Sequence, residues 1–186
     1  MEKMINETKV AKHLKMNTFI GFSDDGYVYL SDSFWLLKIK EEQLKLNIKS
    51  DGKLSNLIMR AQLVFQNNQE KFKESSLKYD LSSGEWVEGP ALKIMDDLVS
   101  IKKDSIDENA SFNDLVYILD GKDYYLVKNG DGSFRAFNRE FVDIIPNMDA
   151  LRHGKFKEGK YSPVQYENEN MKYMLLPIRL PDGFKI

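Results

Sequence analysis

Residues 173–180 read Tyr-Met-Leu-Leu-Pro-Ile-Arg-Leu, an apolar run interrupted by a proline and an arginine. Taken as a strand, the run alternates. Met174, Leu176, Ile178 and Leu180 make an apolar face that belongs in a core, while Tyr173, Leu175, Pro177 and Arg179 make a mixed one. Pro177 has no N–H to give a neighbour, so this part of the strand is expected at a sheet edge or out of the sheet. Apolar surface beside a strand that cannot extend its ladder is a candidate groove for another peptide. The plainer alternative is a C-terminal strand capped by its own tail, residues 181–186.

Working back from this strand, Val164–Tyr166 is its expected hairpin partner. Upstream, Phe19–Phe22, Tyr27–Leu30 and Phe34–Ile39 read as a meander, turned at Asp24-Asp25-Gly26 and at residues 31–33. A short amphipathic helix is expected over 7–16, capped by Asn6, with Val10, Ala11 and Leu14 on its apolar side. Leu54, Leu57, Ile58, Ala61, Val64 and Phe65 recur at helical spacing and predict a helix over 54–67. A small hairpin over 79–87 is expected to stop at Gly89-Pro90, which opens a helix over about 91–103. Residues 102–111 are charged and lack an apolar period, so they are the best linker candidate. Strands follow at 115–119, 124–127 and 133–137. Asn138 then caps an expected helix carrying Phe141, Ile144, Ile145 and Met148, kinked at Pro146. The sum is α+β: antiparallel meanders with a few packed helices.

The chain has 186 residues, enough for one ordinary domain or two very small ones. A hydrophobic fraction of 42% can fill a core, and 27 basic against 29 acidic residues give no global pull towards nucleic acid. With no cysteine there is no disulfide framework and no thiolate chemistry. The first ten residues show no apolar core of a signal peptide, and no apolar run is long enough for a spanning helix, so a cytoplasmic location is expected. Lys, Asn, Glu and Ile are plentiful and Ala scarce, a composition like that of low-GC bacteria or their phages.

The hairpin over residues 161–180 resembles the C-terminal hairpin of bacterial DNA polymerase sliding clamps. The match falls on Ser162, Val164 and Gln165, then on Leu176, Pro177, Ile178, Arg179 and Leu180. Residues 136–151 are similar to the segment before that hairpin in clamps, and residues 21–40 look like a clamp meander. The resemblance covers about a third of the chain. It implies a clamp-like domain over 1–186 with insertions, with a possible sub-boundary near 103–111. It also implies that Leu176, Pro177, Ile178, Arg179 and Leu180 line a pocket for short linear motifs of DNA polymerase or other replication proteins. A clamp chain usually ends at that leucine and carries three such domains, whereas this one adds residues 181–186 and has room for about one. A ring would therefore need several copies, so a homo-oligomer is a possible state. A ring also needs cations facing double-stranded DNA, and Lys9, Lys12 and Lys15 with His13 are the candidate stripe for non-specific phosphate contact. Residues 43–47, Gln-Leu-Lys-Leu-Asn, resemble the start of a clamp-binding peptide of the form Gln-Leu-x-Leu-Phe, without the final aromatic. On that reading the protein binds a clamp instead of being one.

Signals for an enzyme are sparse. His13 and His153 are the 2 histidines, and neither sits at a metal-ligand spacing. No nucleophile elbow, P-loop or dinucleotide fingerprint is present. Asn129-Gly-Asp131-Gly resembles part of a calcium loop but fits a tight hairpin better. Asp149 followed by Glu158-Gly-Lys160 matches a metal-dependent nuclease pattern. The expected function is a non-enzymatic, cofactor-free processivity or recruiting factor of DNA replication. The alternatives are an interaction module or inhibitor that binds replication proteins without encircling DNA, and a metal-dependent nuclease.

Overall fold

Two-residue turns and short loops set the strand pattern. Asp120 and Gly121 both hold positive φ, 50° and 71°, and fold β6 (Ser111–Leu119) directly onto β7 (Lys122–Lys128). Gly26, at φ 82°, turns β1 (Phe19–Phe22) into β2 (Tyr27–Ser31). The Asp32 carboxylate accepts from the amides of Phe34 and Trp35 at 3.0 and 3.3 Å, which fixes the turn into β3 (Trp35–Lys40). The computed structural model describes residues 3–14, 18–80, 82–100, 106–155, 162–178 and 180, with backbone only at 113–115.

Among the described residues the remaining strands are β4 (Ser75–Asp80), β5 (Glu85–Ala91), β8 (Phe134–Asn138), β9 (Arg152–His153), β10 (Val164–Glu167) and β11 (Met171–Leu175). They form an eight-stranded antiparallel sheet, in the order β5-β4-β1-β2-β3-β11-β10-β9, and a three-stranded one, β6-β7-β8. The C-terminal hairpin therefore completes the sheet that the N-terminal meander begins: Leu37 pairs with Tyr173 and Trp35 with Leu175. The fold is α+β with antiparallel sheets, as the sequence pattern predicts.

Register explains the layers. Ile20, Leu30, Leu37 and Tyr173 lie in one row across the large sheet, and Trp35, Leu175, Val164 and His153 in the next on the same face. This inner face packs on α1 (Glu7–His13), α2 (Glu41–Asn47), α3 (Lys53–Asn67), α4 (Gln69–Phe72) and the small sheet, through Val10, Leu44, Leu54, Phe72 and Phe137. Trp35 and Tyr173 are fully buried there, 6.4 Å apart between ring centroids, each contributing roughly 2–3 kcal/mol by burial. The Tyr173 hydroxyl donates to the Phe141 carbonyl at 2.8 Å, and burial raises its pKa well above the usual phenol value.

The opposite face carries the row Phe19, Ser31, Leu36, Met174, Gln165 and Arg152. One short helix, α5 (Leu92–Val99), covers its middle with Met95 and Val99 packed on Tyr29, Leu36 and Met174. Gly21 leaves room for it: a Cβ there would sit 2.4 Å from Leu92 Cδ2. Polar contacts tie it down as well. The Lys38 ammonium meets the Asp96 carboxylate at 2.6 Å, and Gln165 Nε2 donates to the Leu98 carbonyl at 3.4 Å. No described helix is long and apolar enough to cross a membrane.

Several expectations are corrected. The strand expected over 173–180 ends at Leu175. Its mixed face is the deeper one, because Tyr173 and Leu175 are fully buried. β5 runs through Gly89-Pro90 to Ala91 instead of stopping there; it is an edge strand, where a missing N–H costs nothing. The helix expected after Asn138 is only α6 (Arg139–Val142), followed by turns and a 3₁₀ turn at Met148–Ala150. The described part of the linker candidate is packed: Ile106 bridges Gly154, the Asp107 amide donates to the His153 carbonyl at 2.7 Å, and Ala110 is buried. The Gln43–Asn47 segment is helix α2, with Leu44 buried and Asn47 Oδ1 accepting from the Met4 amide at 2.8 Å. It is thus part of the protein's own core and not an extended ligand.

Candidate functional site

After Leu175 the chain leaves the large sheet and crosses to the small one. The Leu176 amide donates to the Phe34 carbonyl, and the Ile178 amide donates to the Ala136 carbonyl on β8, both at 2.9 Å. Pro177 lies between these two bonds, at the one position where no N–H is asked for. Leu176 packs on the edge of the cluster under α5. Ile178 and Leu180 pack on Tyr124, Leu126 and Ala136 of the small sheet, beside Tyr117, Leu119 and Phe134. Leu176, Pro177, Ile178 and Leu180 all remain half-buried. They form an apolar seam between two sheets instead of a groove along a single strand. Arg179 lies outside the described residues. Near Leu176, Phe34 is 56% exposed and stacks on Phe141 with centroids 6.1 Å apart.

The described members of the expected cation stripe lie beside carboxylates. Lys9, Lys12 and His13 share α1, but each faces a carboxylate of the α6 region. Lys9 pairs with Asp143 at 3.6 Å, Lys12 with Glu140, and His13 Nε2 lies 3.2 Å from the other Glu140 oxygen without hydrogen-bond geometry. Burial lowers the pKa of the His13 imidazole, against the pull of Glu140. Hydrogen bonding from Lys12 holds the Glu140 carboxyl below its ordinary value. Lys15 lies outside the described residues.

A different set of cations is less encumbered. Lys49, Lys53 and Arg60 border the shallow grooves between α1 and α3, together with Lys12, Ala11 and Thr8. Lys49, Lys53 and Arg60 have no ion pair among the described residues, and Glu7 is the carboxylate lining these grooves. Lys53 and Arg60 are seven residues apart, which places them on one side of α3. That spacing is visible in the sequence but is masked there by the stronger apolar period.

A polar knot lies at the other end of the small sheet. Arg135, 3% exposed, donates from Nε to Asn129 Oδ1 and from Nη1 to the Ser162 carbonyl, both at 2.6 Å, while Nη2 has no partner among the described residues. Burial pulls its pKa down to about 10, so it stays charged at neutral pH. His153 is also buried, with Nδ1 unpartnered among the described residues and its ring edge-on to Phe112 at 4.9 Å. Burial and then the Arg135 charge lower its pKa to about 4. Asp149, from the nuclease pattern, sits on the 3₁₀ turn beside the cleft that His153 lines, whereas Glu158 and Lys160 lie outside the described residues. No cluster of metal-ligating side chains occurs among the described residues. The Asn129–Gly132 segment is a turn, with Asp131 accepting from the Ser133 amide at 2.9 Å.

No protein-family model matches the chain, and no curated protein does. Among solved structures, it is similar to a DnaN sliding clamp, the DNA polymerase III beta subunit, from Bartonella birtlesii, in a structure with griselimycin bound. The identity is 12%, the TM-score 0.34, and the match covers 96% of this chain but 61% of that one. At that score the likeness establishes neither a shared fold nor a shared activity.

Proposed function

We propose that this protein is a non-enzymatic recruiting module that binds a short apolar peptide of a partner along the seam from Leu176 to Leu180. The observation that supports it is the crossing segment itself. It is anchored by backbone bonds to Phe34, just before β3, and to Ala136 on β8, yet it keeps apolar groups half open at positions 176, 177, 178 and 180. An apolar strip with a fixed backbone takes an aliphatic or aromatic anchor with little ordering cost. The resemblance of the hairpin to sliding clamps suggests replication proteins as partners and Gln-Leu-x-Leu-Phe as the probe. Fluorescence anisotropy of a labelled Gln-Leu-Ser-Leu-Phe peptide tests this. Saturable binding that weakens in Ile178→Ala supports the seam; no binding, or binding indifferent to that change, counts against it.

A role on DNA is the second reading, and the α1–α3 face favours it. Lys49, Lys53 and Arg60 have no ion pair among the described residues, with Glu7 as the carboxylate beside them, on a chain whose net charge is −2. Duplex binding that falls with salt, and falls again in Lys53→Glu with Arg60→Glu, is the expected result. Retention unaffected by the double charge reversal removes this reading.

A further inference from the structure

Sheet edges are where backbone groups go unpaired, and proteins blunt them. Among the described residues, three of the four sheet edges are blunted. β5 carries Pro90, a register irregularity against β4, and the exposed carboxylates of Glu85 and Glu88. β9 is two residues long. β8 is met by the crossing segment through the bridge from Ala136 to Ile178.

β6 is the exception. It pairs with β7 on one side, and no strand pairs with its other side among the described residues. The ladder shifts register between Phe112 and Val116 and is regular from Val116 to Leu119. The two-residue turn makes Leu119 and Lys122 a hydrogen-bonded pair, and so also Tyr117 and Tyr124. Val116 and Ile118 therefore aim their N–H and C=O groups away from β7, at the open edge. The same two residues carry exposed aliphatic side chains, 42% and 67% exposed. No backbone bond from another described segment reaches them.

We infer that the β6 edge docks the β6 edge of a second copy of this chain, antiparallel, about a twofold axis at Tyr117. That register is self-complementary. Val116 falls opposite Ile118 of the other copy, twice, so all four outward N–H groups find carbonyls and four aliphatic side chains gather on one face. Moving the axis to Ile118 sets Val116 against Asp120, whose positive φ in the turn cannot continue a ladder. The paired edge joins two small sheets into one of six strands. The inference does not rest on the peptide-binding reading.

The absence of cysteine makes the register directly testable. At the twofold, two copies of residue 117 form a non-hydrogen-bonded pair with Cα atoms about 4.5 Å apart, within disulfide reach. Under mild oxidation the full-length Tyr117→Cys protein should form a covalent dimer, and Lys93→Cys, on the exposed side of α5, should not. Light scattering of the otherwise unchanged chain should show a mass that rises to twice that of one chain with concentration, and Ile118→Lys should keep it at one. A single-chain mass at every concentration, with no Tyr117→Cys dimer, overturns the inference. So does a doubled mass that Ile118→Lys leaves intact. Circular dichroism of each variant confirms that it is folded, and the peptide titration, read separately, reports on the seam alone.

Discussion

The amide of Ile178 donates to the carbonyl of Ala136 at 2.9 Å, and through this bond the C-terminal segment of the large sheet is fastened to the small one. Pro177 immediately precedes that bond and pre-sets the backbone for it. Pro177→Ala should cost about 0.4–1 kcal/mol in urea unfolding, mainly through the freer unfolded chain. It should weaken peptide binding more than that stability loss suggests, because the crossing segment loosens. A variant with unchanged stability and unchanged affinity would show that the proline does not order the seam.

The Lys38–Asp96 pair makes a second prediction. Burial alone pulls the Lys38 pKa down, but hydrogen bonds to Asp96 and Tyr29 outweigh it and leave it raised. The lysine side chain is 10% exposed and the aspartate 44%. Asp96→Ala strands a mostly buried ammonium, whereas Lys38→Met removes the charge and keeps the volume. Asp96→Ala should therefore be the more destabilising of the two, by about 1–3 kcal/mol against less than about 1 kcal/mol. Adding Lys38→Met to Asp96→Ala should restore part of the loss. Denaturant curves on the three variants decide it, and equal costs would mean that the pair is solvated.

His153 predicts the acid limit of the fold. Its pKa is lowered from 6.5 to about 4 in the folded protein, first by burial and then by Arg135. The unfolded chain therefore takes up the proton first as pH falls. The stability that comes from keeping the imidazole neutral is complete above about pH 6.5, and is lost as pH drops towards 4, by up to about 3 kcal/mol. His153→Phe should flatten that part of the stability–pH curve. With only 2 histidines, NMR titration reads the group directly once His13→Ala removes the other resonance. An ordinary titration midpoint would remove the argument.

The Gly21–Leu92 approach gives a double-mutant test. Gly21→Ala places a methyl 2.4 Å from Leu92 Cδ2, so α5 or the leucine must shift, at about 1–3 kcal/mol. Leu92→Ala alone loses packing, but combined with Gly21→Ala it should cost less than the sum. Strict additivity would mean that α5 does not pack over this strand.

Strand positions were legible because Gly26, Asp120 and Gly121 punctuate alternating runs, and those turns are local. Helix α3 was legible because Leu54, Ile58 and Ala61 bury one stripe. Helix α2 was not: Leu44 is its one buried apolar residue, Leu46 points out at 59% exposure, and no side chain caps it. The partition of the C-terminal run was not legible either. Nothing in Tyr173–Leu180 tells that Tyr173 meets Leu37 in the deep core while Ile178 reaches a different sheet. The proline marked where the strand leaves its ladder, but its destination is a long-range contact. The carboxylates that face the cation stripe were not legible for a related reason. Lys12 and Glu140 are 128 residues apart, so the carboxylate that neutralises the lysine is invisible from α1.

The most direct test of the recruiting function is a titration of labelled Gln-Leu-Ser-Leu-Phe peptide into the protein, run in parallel on Ile178→Ala and on Ile94→Ala, which removes an exposed side chain of α5. The account predicts saturable binding to the unaltered protein, retained in Ile94→Ala and weakened at least several-fold in Ile178→Ala. Equal affinities in all three, or none in any, would contradict it.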